Sequence, residues 1–317
     1  MQDILTVTLN PAVDLSTSAS EVSSGHKLRC ATPEFSAGGG GINVSRAIRI
    51  LGGHSRAFVA LGGNAGQRLQ TLLSDEGIAE IAHSAPGETR TNVAVTCDQT
   101  GEQFRFVMPG PTWPDADCAK LLTRLNAMTN PAGLLVLSGS LAPGMPTDFA
   151  RTVIAALKDT GPSILCDISG RPLHDLCAAP NPGLDVLRMD LDESEEIFGA
   201  PLSTRTDSAR FARDLVAGGV SKTVIVARGP DGSILASETG CIHVTALDVP
   251  INSKVGAGDS FVGAFTLARA RGFDLATALQ HGTTAATAAV TTPATELCRK
   301  VDFERYLPDC VLSDITL

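Results

Sequence analysis

Gly38-Gly39-Gly40-Gly41-Ile42-Asn43-Val44-Ser45-Arg46-Ala47 opens a helical run that continues to Leu51, and Ala57-Phe58-Val59-Ala60-Leu61 follows it as a short apolar run. The first run has the spacing of one buried helix face, and the second has the length and composition of a buried strand. Working outward, Ile4–Leu9 is a strand before this pair and 67–76 a helix after it, so the chain opens β, α, β, α. Further strands are expected at 134–137, 164–167 and 223–227, with helical runs at 147–158 and 208–216. That alternation favours a mostly parallel sheet covered by helices on both faces.

Two stretches break the alternation. Residues 12–29 have no helical period, and 91–97 with 103–107 flank Asp98-Gln99-Thr100-Gly101 as a hairpin. Together they can form a small separate sheet, which either covers a site as a lid or protects an edge. The C-terminal third reads as helical, at 258–271 and 274–290, and its small residues permit close packing.

With 317 residues the chain suits one α/β domain bearing an insertion. One Trp and one Tyr leave few stacking platforms for bases, and a net charge of −9 repels phosphate backbones, so nucleic acid is not an expected partner. No stretch approaches membrane-spanning length and the N-terminus lacks a signal pattern, which together read as cytoplasmic with no membrane partner. The eight cysteines and six histidines are scattered, without the paired spacing of a zinc site.

Chemistry concentrates at Lys254-Val255-Gly256-Ala257-Gly258-Asp259-Ser260-Phe261. Small residues before a helix let backbone N–H groups converge on an anion, and Asp259 beside them can take a proton from a hydroxyl. The same residues also describe an ordinary tight turn capped by Asp259. Four consecutive glycines at 38–41 are costly in chain entropy, so something must approach that backbone closely; a ligand hydroxyl beside Asn43 is one candidate and a loop before a helix is the other. Asp14 reads locally as a turn after Asn10-Pro11. Lys27, Arg29, Arg90 and Arg105 each read singly as solvated surface cations, and together, on the small-sheet segments of an acidic protein, they fit an anionic substrate.

These motifs resemble the two signature regions of the PfkB, or ribokinase-like, carbohydrate kinases, at Gly38–Ala47 and Val255–Phe261. The likeness spans nearly the whole chain. Thr6 to Asp14, Arg105 to Gly110 and Ser138-Gly139-Ser140-Leu141 are similar to the phosphosugar branch, and Gly40 stands where its fructose-1-phosphate and tagatose-phosphate members usually have Lys. The resemblance implies a three-layer α/β/α core over 1–317 with a discontinuous β lid from about 12–30 and 88–108. It implies ATP-dependent conversion of fructose 6-phosphate to fructose 1,6-bisphosphate; fructose 1-phosphate, tagatose 6-phosphate and a non-catalytic phosphosugar sensor remain the alternatives.

It also implies roles. Asp259 is the base, and Gly256, Ala257 and Gly258 form the phosphoryl cradle. Asp14, Gly38, Gly39 and Asn43 hold sugar hydroxyls, while Lys27, Arg90, Arg105 and Ser138 or Ser140 hold the sugar's phosphate. The nucleotide falls to Arg188, Asp190, Arg228, Gly229, Gly232 and Lys254, between the turn at 228–232 and the helix near 281–290. Mg²⁺ falls to Asp190 and Glu193 through water, a monovalent cation is compatible, and a homodimer pairs the lids. Asp190 departs from the family's Asn, Arg188 from its Lys and Lys254 from its Thr; Lys254 is expected to offset Asp190 or to meet a phosphate.

Overall fold

Along the central strands, alternate side chains enter two different cores. In Leu184–Asp190, Val186 belongs to the same core as Val44, Phe261 and Phe265 on one face, while Leu187 and Met189 belong to the core of Leu121, Phe149 and Leu173 on the other. This period of two, with both sets apolar, is what a sheet covered on both faces requires. The computed structural model describes residues 1–159, 161–293 and 296–317. Its ten-stranded sheet runs Leu312–Ile315, Gly240–Val244, Ser233–Ser237, Thr223–Ala227, Leu184–Asp190, Ser163–Asp167, Leu134–Ser138, Ile4–Thr8, Arg56–Leu61, Ala79–Ser84. From Thr223–Ala227 to Ala79–Ser84 every neighbour is parallel.

Helices Gly40–Ile50, Ala257–Ala270, Leu275–Val290 and Lys300–Tyr306 cover one face, and Asp115–Met128, Phe149–Leu157, Arg171–Cys177 and Arg205–Ala217 the other. The architecture is therefore the three-layer α/β/α core expected from the alternation. A four-stranded sheet stands apart in the order Glu34–Gly38, Ala12–Ala19, Arg90–Cys97, Gln103–Phe106. The strand Glu34–Gly38 lies outside the segments 12–30 and 88–108 assigned to this sheet from sequence, and it leads straight into the four glycines.

The C-terminal third, read as helical, also carries three antiparallel strands that were not expected, Ser233–Ser237, Gly240–Val244 and Leu312–Ile315. The last of them is a mostly exposed edge strand, so it has no apolar alternation to announce it.

The placement of the site follows from topology. From Ile4–Thr8 the chain crosses to Arg56–Leu61 on one side, whereas Leu134–Ser138 and its successors build outward on the other. Such a reversal leaves a crevice at the carboxyl ends of the strands, where ligands bind in open parallel sheets.

Candidate active site

The helix Ala257–Ala270 begins at this end of the sheet, with Gly256 as its N-cap at φ 78°, a left-handed conformation that favours glycine. Three residues on, Asp259 Oδ2 accepts a hydrogen bond from Asn43 Nδ2 at 2.9 Å, which ties this helix to the helix Gly40–Ile50. Burial, then repulsion from Asp167, push the Asp259 carboxyl up to about 7; the Asn43 bond and the charges of Arg188 and Arg46 oppose the rise. A carboxyl with that affinity exchanges protons near neutrality.

Register explains its neighbours. Ser138 pairs with Asp167 on adjacent strands, and Arg188 stands on the next strand one step beyond the Cys166–Leu187 pair. Asp167 Oδ1 accepts from Arg188 Nη1 at 3.0 Å, and its Oδ2 accepts from Ser138 Oγ at 3.2 Å. The guanidinium of Arg188 lies 5.9 Å from the centre of the Phe261 ring and against Gly258, where an added Cβ would come within 3.2 Å of Nη1. A cation thus faces the open backbone of the helix start.

Asp14, read from sequence as a turn residue, sits on the strand Ala12–Ala19 and is partly buried. Its Oδ1 accepts from Asn92 Nδ2 at 2.8 Å. Burial raises its pKa, against the Asn92 bond and the charges of Arg90, Arg105 and Arg46. Asp14, Asn43, Arg46, Asn92, Arg105 and Gly256 line one cavity of about 90 Å³ between the small sheet and the helix start.

The four glycines divide their work. A Cβ on Gly38 would strike the Asp14 carboxylate, one on Gly40 would meet Ser138 Oγ at 2.5 Å, and one on Gly41 would meet Thr8 Oγ1 at 2.6 Å. Gly39, at φ 129°, lets the chain turn into the helix. What approaches the backbone at 38, 40 and 41 is therefore the protein's own strand ends, and a Lys at position 40 would need those ends to move.

The anionic and nucleotide candidates separate into groups. Arg90 donates to the carbonyls of Met108 and Asn10, at 3.2 and 2.9 Å, and burial lowers its pKa against the pull of Asp14. Lys27 is exposed on the loop between Ala12–Ala19 and Glu34–Gly38 and does not line the cavity. Ser138 is buried and bonded to Asp167, and Ser140 Oγ accepts from Asn10 Nδ2 at 3.3 Å.

Arg228 corrects its assignment. Its Nε pairs with Asp231 at 3.0 Å, and its other nitrogens donate to Leu202 O, Ser203 O and Ser208 Oγ, so the buried side chain braces a turn with four of its five N–H donors and keeps one Nη2 hydrogen. In the same turn Gly229 faces open space, while Gly232 packs against Val244 O. His281, at the start of the expected nucleotide region, is sandwiched at 5.6 and 5.4 Å from the Phe273 and Phe303 rings.

Asp190 is the N-cap of the helix Leu191–Phe198 and shares a capping box with Glu193: Asp190 Oδ1 accepts from Glu193 N, and Glu193 Oε2 accepts from Asp190 N, both at 2.9 Å. Asp caps a helix as well as Asn does, so the change preserves the local fold. Of the two roles expected for Lys254, the offset to Asp190 has no ion pair behind it: Lys254 is exposed and makes no ion pair among the described residues, whereas Arg188 pairs with Asp167 at 3.0 Å.

For a divalent ion, each carboxylate of the box keeps one oxygen outside it. Burial followed by the Asp190 charge raises the Glu193 pKa, so a cation there would relieve a real cost. No group of three or more His, Cys, Asp or Glu among the described residues could hold a metal by itself, and an ion here would keep waters and phosphate oxygens, as Mg²⁺ does.

The sequence reading missed Asp167, Arg46 and Asn92. Asp167 had a signal, since it ends an expected strand on the side where parallel sheets bind ligands. Arg46 Nε pairs with Glu76 Oε2 at 2.6 Å while its Nη1 donates to Asn43 Oδ1 at 3.4 Å, a bridge that no short-range pattern announces. Four buried polar atoms without partners lie at this end of the sheet, Thr8 Oγ1, Asn10 Oδ1, Arg90 Nε and Arg188 Nε, and others lie elsewhere, at Glu80, Asn181, His243, Thr266 and Thr283. Such atoms are rare in folded proteins and point to a polar ligand.

A model of the pfkB family carbohydrate kinases matches residues 7–301. The ATP-dependent 6-phosphofructokinase isozyme 2 of Escherichia coli (strain K12) is 35% identical over 305 residues, covering 96% of this chain and 98% of that protein. The crystal structure of phosphofructokinase-2 from Escherichia coli in complex with fructose-6-phosphate superposes with a TM-score of 0.89 at 33% identity, over 98% of this chain and 99% of that one. The tetrameric inhibited form of the same enzyme superposes with a TM-score of 0.89 at 34% identity, with the same coverage of both chains.

Proposed function

Because this chain belongs to the pfkB family of carbohydrate kinases, and so is a phosphotransferase, we propose that it transfers the γ-phosphoryl group of ATP to the C1 hydroxyl of fructose 6-phosphate. One observation carries the reading: a carboxyl poised at about 7 stands in the first turn of a helix whose opening backbone is bare, beside a cleft lined by Asp14 and Arg105. Asp259 takes the C1 hydroxyl proton as that oxygen bonds to phosphorus and the bond to the ADP oxygen breaks. The backbone N–H groups at 256–258 and the guanidinium of Arg188 hold the charge of the transferring group, where preorganised donors are worth most.

On the sugar side, Asp14, Gly39 and Asn43 bind hydroxyls, with Asn92 fixing the Asp14 carboxylate. Arg90 and Arg105 bind the 6-phosphate, joined by Ser140. Gly38 and Gly40 act by leaving space rather than by touching substrate. On the nucleotide side we keep Gly229, Gly232 and Lys254 as candidates, with Asp190 and Glu193 holding Mg²⁺ through water; the ion supplies charge neutralisation for the phosphates. Assays include K⁺ as a candidate monovalent activator. The reaction fits a cytoplasmic enzyme, where ATP is supplied.

We read the assembly as a homodimer joined through the small sheets. Phe106 and Val107, 52% and 63% exposed on and beside the strand Gln103–Phe106, supply an apolar surface for that contact. Lys27, which does not line its own chain's cleft, then serves the partner's site. Mixing K27A and D259N proteins tests this: recovery of activity supports shared sites, and none supports sites within one chain.

The function itself is tested by coupling ADP release to an indicator reaction with fructose 6-phosphate, fructose 1-phosphate and tagatose 6-phosphate. A kcat/KM for fructose 6-phosphate well above the other two is the expected result. A preference for either other sugar reassigns the substrate, and binding without turnover makes the protein a sensor.

A further inference from the structure

A cavity of about 300 Å³ opens at the other end of the sheet, where the strands begin. Leu134, Val136, Leu165, Val186 and Phe265 wall it between the sheet and the helix Ala257–Ala270, and the turn at Ser237–Gly240 borders its mouth. None of its lining residues belongs to the catalytic end.

Two features separate it from a packing defect. Thr266 lines it at 2% exposure, and its Oγ1 has no hydrogen-bond partner, so a polar atom is buried on an otherwise apolar wall. At the mouth the charges are unequal. Lys222 is neutralised by Asp185 at 2.7 Å. Arg269 is partly buried and makes no ion pair among the described residues; its Nη1 donates to the Phe273 carbonyl at 2.5 Å. Asp274 caps the helix Leu275–Val290 through Oδ1 and makes no ion pair with Arg269, and Glu238 is exposed at the tip of the turn.

We propose that this cavity is a second ligand site, for a small apolar monocarboxylate whose body fills the aliphatic walls, whose carboxylate meets Arg269 and which presents a polar atom to Thr266 Oγ1. A single negative charge suits the mouth. A phosphate dianion would face Asp185 and Glu238 with only one cation free to pair with it, so the site is unlike one for ATP or a sugar phosphate. Its other wall is the helix that carries Asp259.

Phenylacetate is the probe, with phenylacetamide as its uncharged counterpart, titrated into the full chain labelled at Leu and Val methyls and followed by NMR. Saturable shifts at Leu134, Val136, Leu165, Val186 and Leu275, with Kd on the order of 1 mM, are expected. The amide should bind about tenfold more weakly, as should phenylacetate to R269Q, because a charge-assisted hydrogen bond is lost. T266V should keep the fold, weaken binding several-fold and raise the ligand-free melting temperature, since the stranded hydroxyl is gone. Shifts that do not saturate, that fall on other methyls, or that keep the same Kd in R269Q overturn the proposal. Thermal unfolding of both variants establishes that each is folded, without reference to the kinase reaction.

Discussion

Two glycine-rich segments each start a helix at the same end of the sheet, and they do different physical work. At 38–41 most of the glycines make room for the protein itself, with Asp14, Thr8 and the Ser138–Gly139 backbone where side chains would be. At 256–258 Gly256 supplies the left-handed turn, and Gly258 leaves the guanidinium of Arg188 facing bare backbone. The first is a packing joint beside Asn43; the second, where Gly256 lies against Leu297 and Gly258 against Arg188, is the one we propose as an anion cradle beside Asp259. A glycine run therefore reports that something comes close, and only the surroundings say whether it is protein or ligand.

Substitutions can break this contrast. The largest effect is expected at Asp259: D259N should lower kcat by about 10²–10⁴, the usual contribution of a positioned base. The same change should stabilise the fold above pH 7. Because the folded pKa of about 7 lies above the ordinary 3.8, the native state loses stability as pH rises between those values, and Asn has no charge to set against Asp167. Unfolding followed at pH 8 checks the sign.

The glycines themselves come next. G40A should cost about 1–3 kcal/mol in denaturant unfolding, since its methyl overpacks the Ser138–Gly139 strand end. G258A should unfold near the wild-type midpoint and yet lose more than about tenfold in kcat, the scale on which displaced charge stabilisation is felt. If both variants fail in the same assay, the two segments do the same physical work.

A pH profile sharpens the same distinction. Asp259 must be ionised to accept a proton, so kcat/KM should rise with pH through a midpoint near 7. D167N removes a repulsion and frees the Arg188 guanidinium, and both changes should move that midpoint to lower pH. The smallest effect is expected from E76Q, which loosens Arg46 and through it Asn43. A fall of a few-fold in kcat with a preserved midpoint would mark Glu76 as a positioning residue.

The core was legible because its signals are local. Runs such as 134–137 and 223–227 are apolar at strand length, and the helix at 42–51 shows its face directly; the structure returns these as Leu134–Ser138, Thr223–Ala227 and Gly40–Ile50. Edge strands such as Leu312–Ile315 were not legible, since exposure removes the pattern that burial imposes. Within the site, Gly256–Asp259 and Asn43 were named from sequence and are brought together by one hydrogen bond. Arg228 was named for the nucleotide, and its side chain braces the turn at 228–232. Lys254 was expected to offset Asp190 or to meet a phosphate; it makes no ion pair among the described residues, and the buried cation near this carboxylate group, Arg188, pairs with Asp167.

By itself the sequence determined the layer order, the two glycine-rich helix starts and the identity of the carboxylate at the second of them, because backbone conformation and apolar periodicity are written within a few residues. Tertiary structure alone decided what surrounds that carboxylate. Asp167 and Arg188 become neighbours through the register of adjacent parallel strands, and Asn43 meets Asp259 because two helices start at one crevice. Electrostatic interactions depend on separation in space and on burial, and neither quantity can be read along a chain.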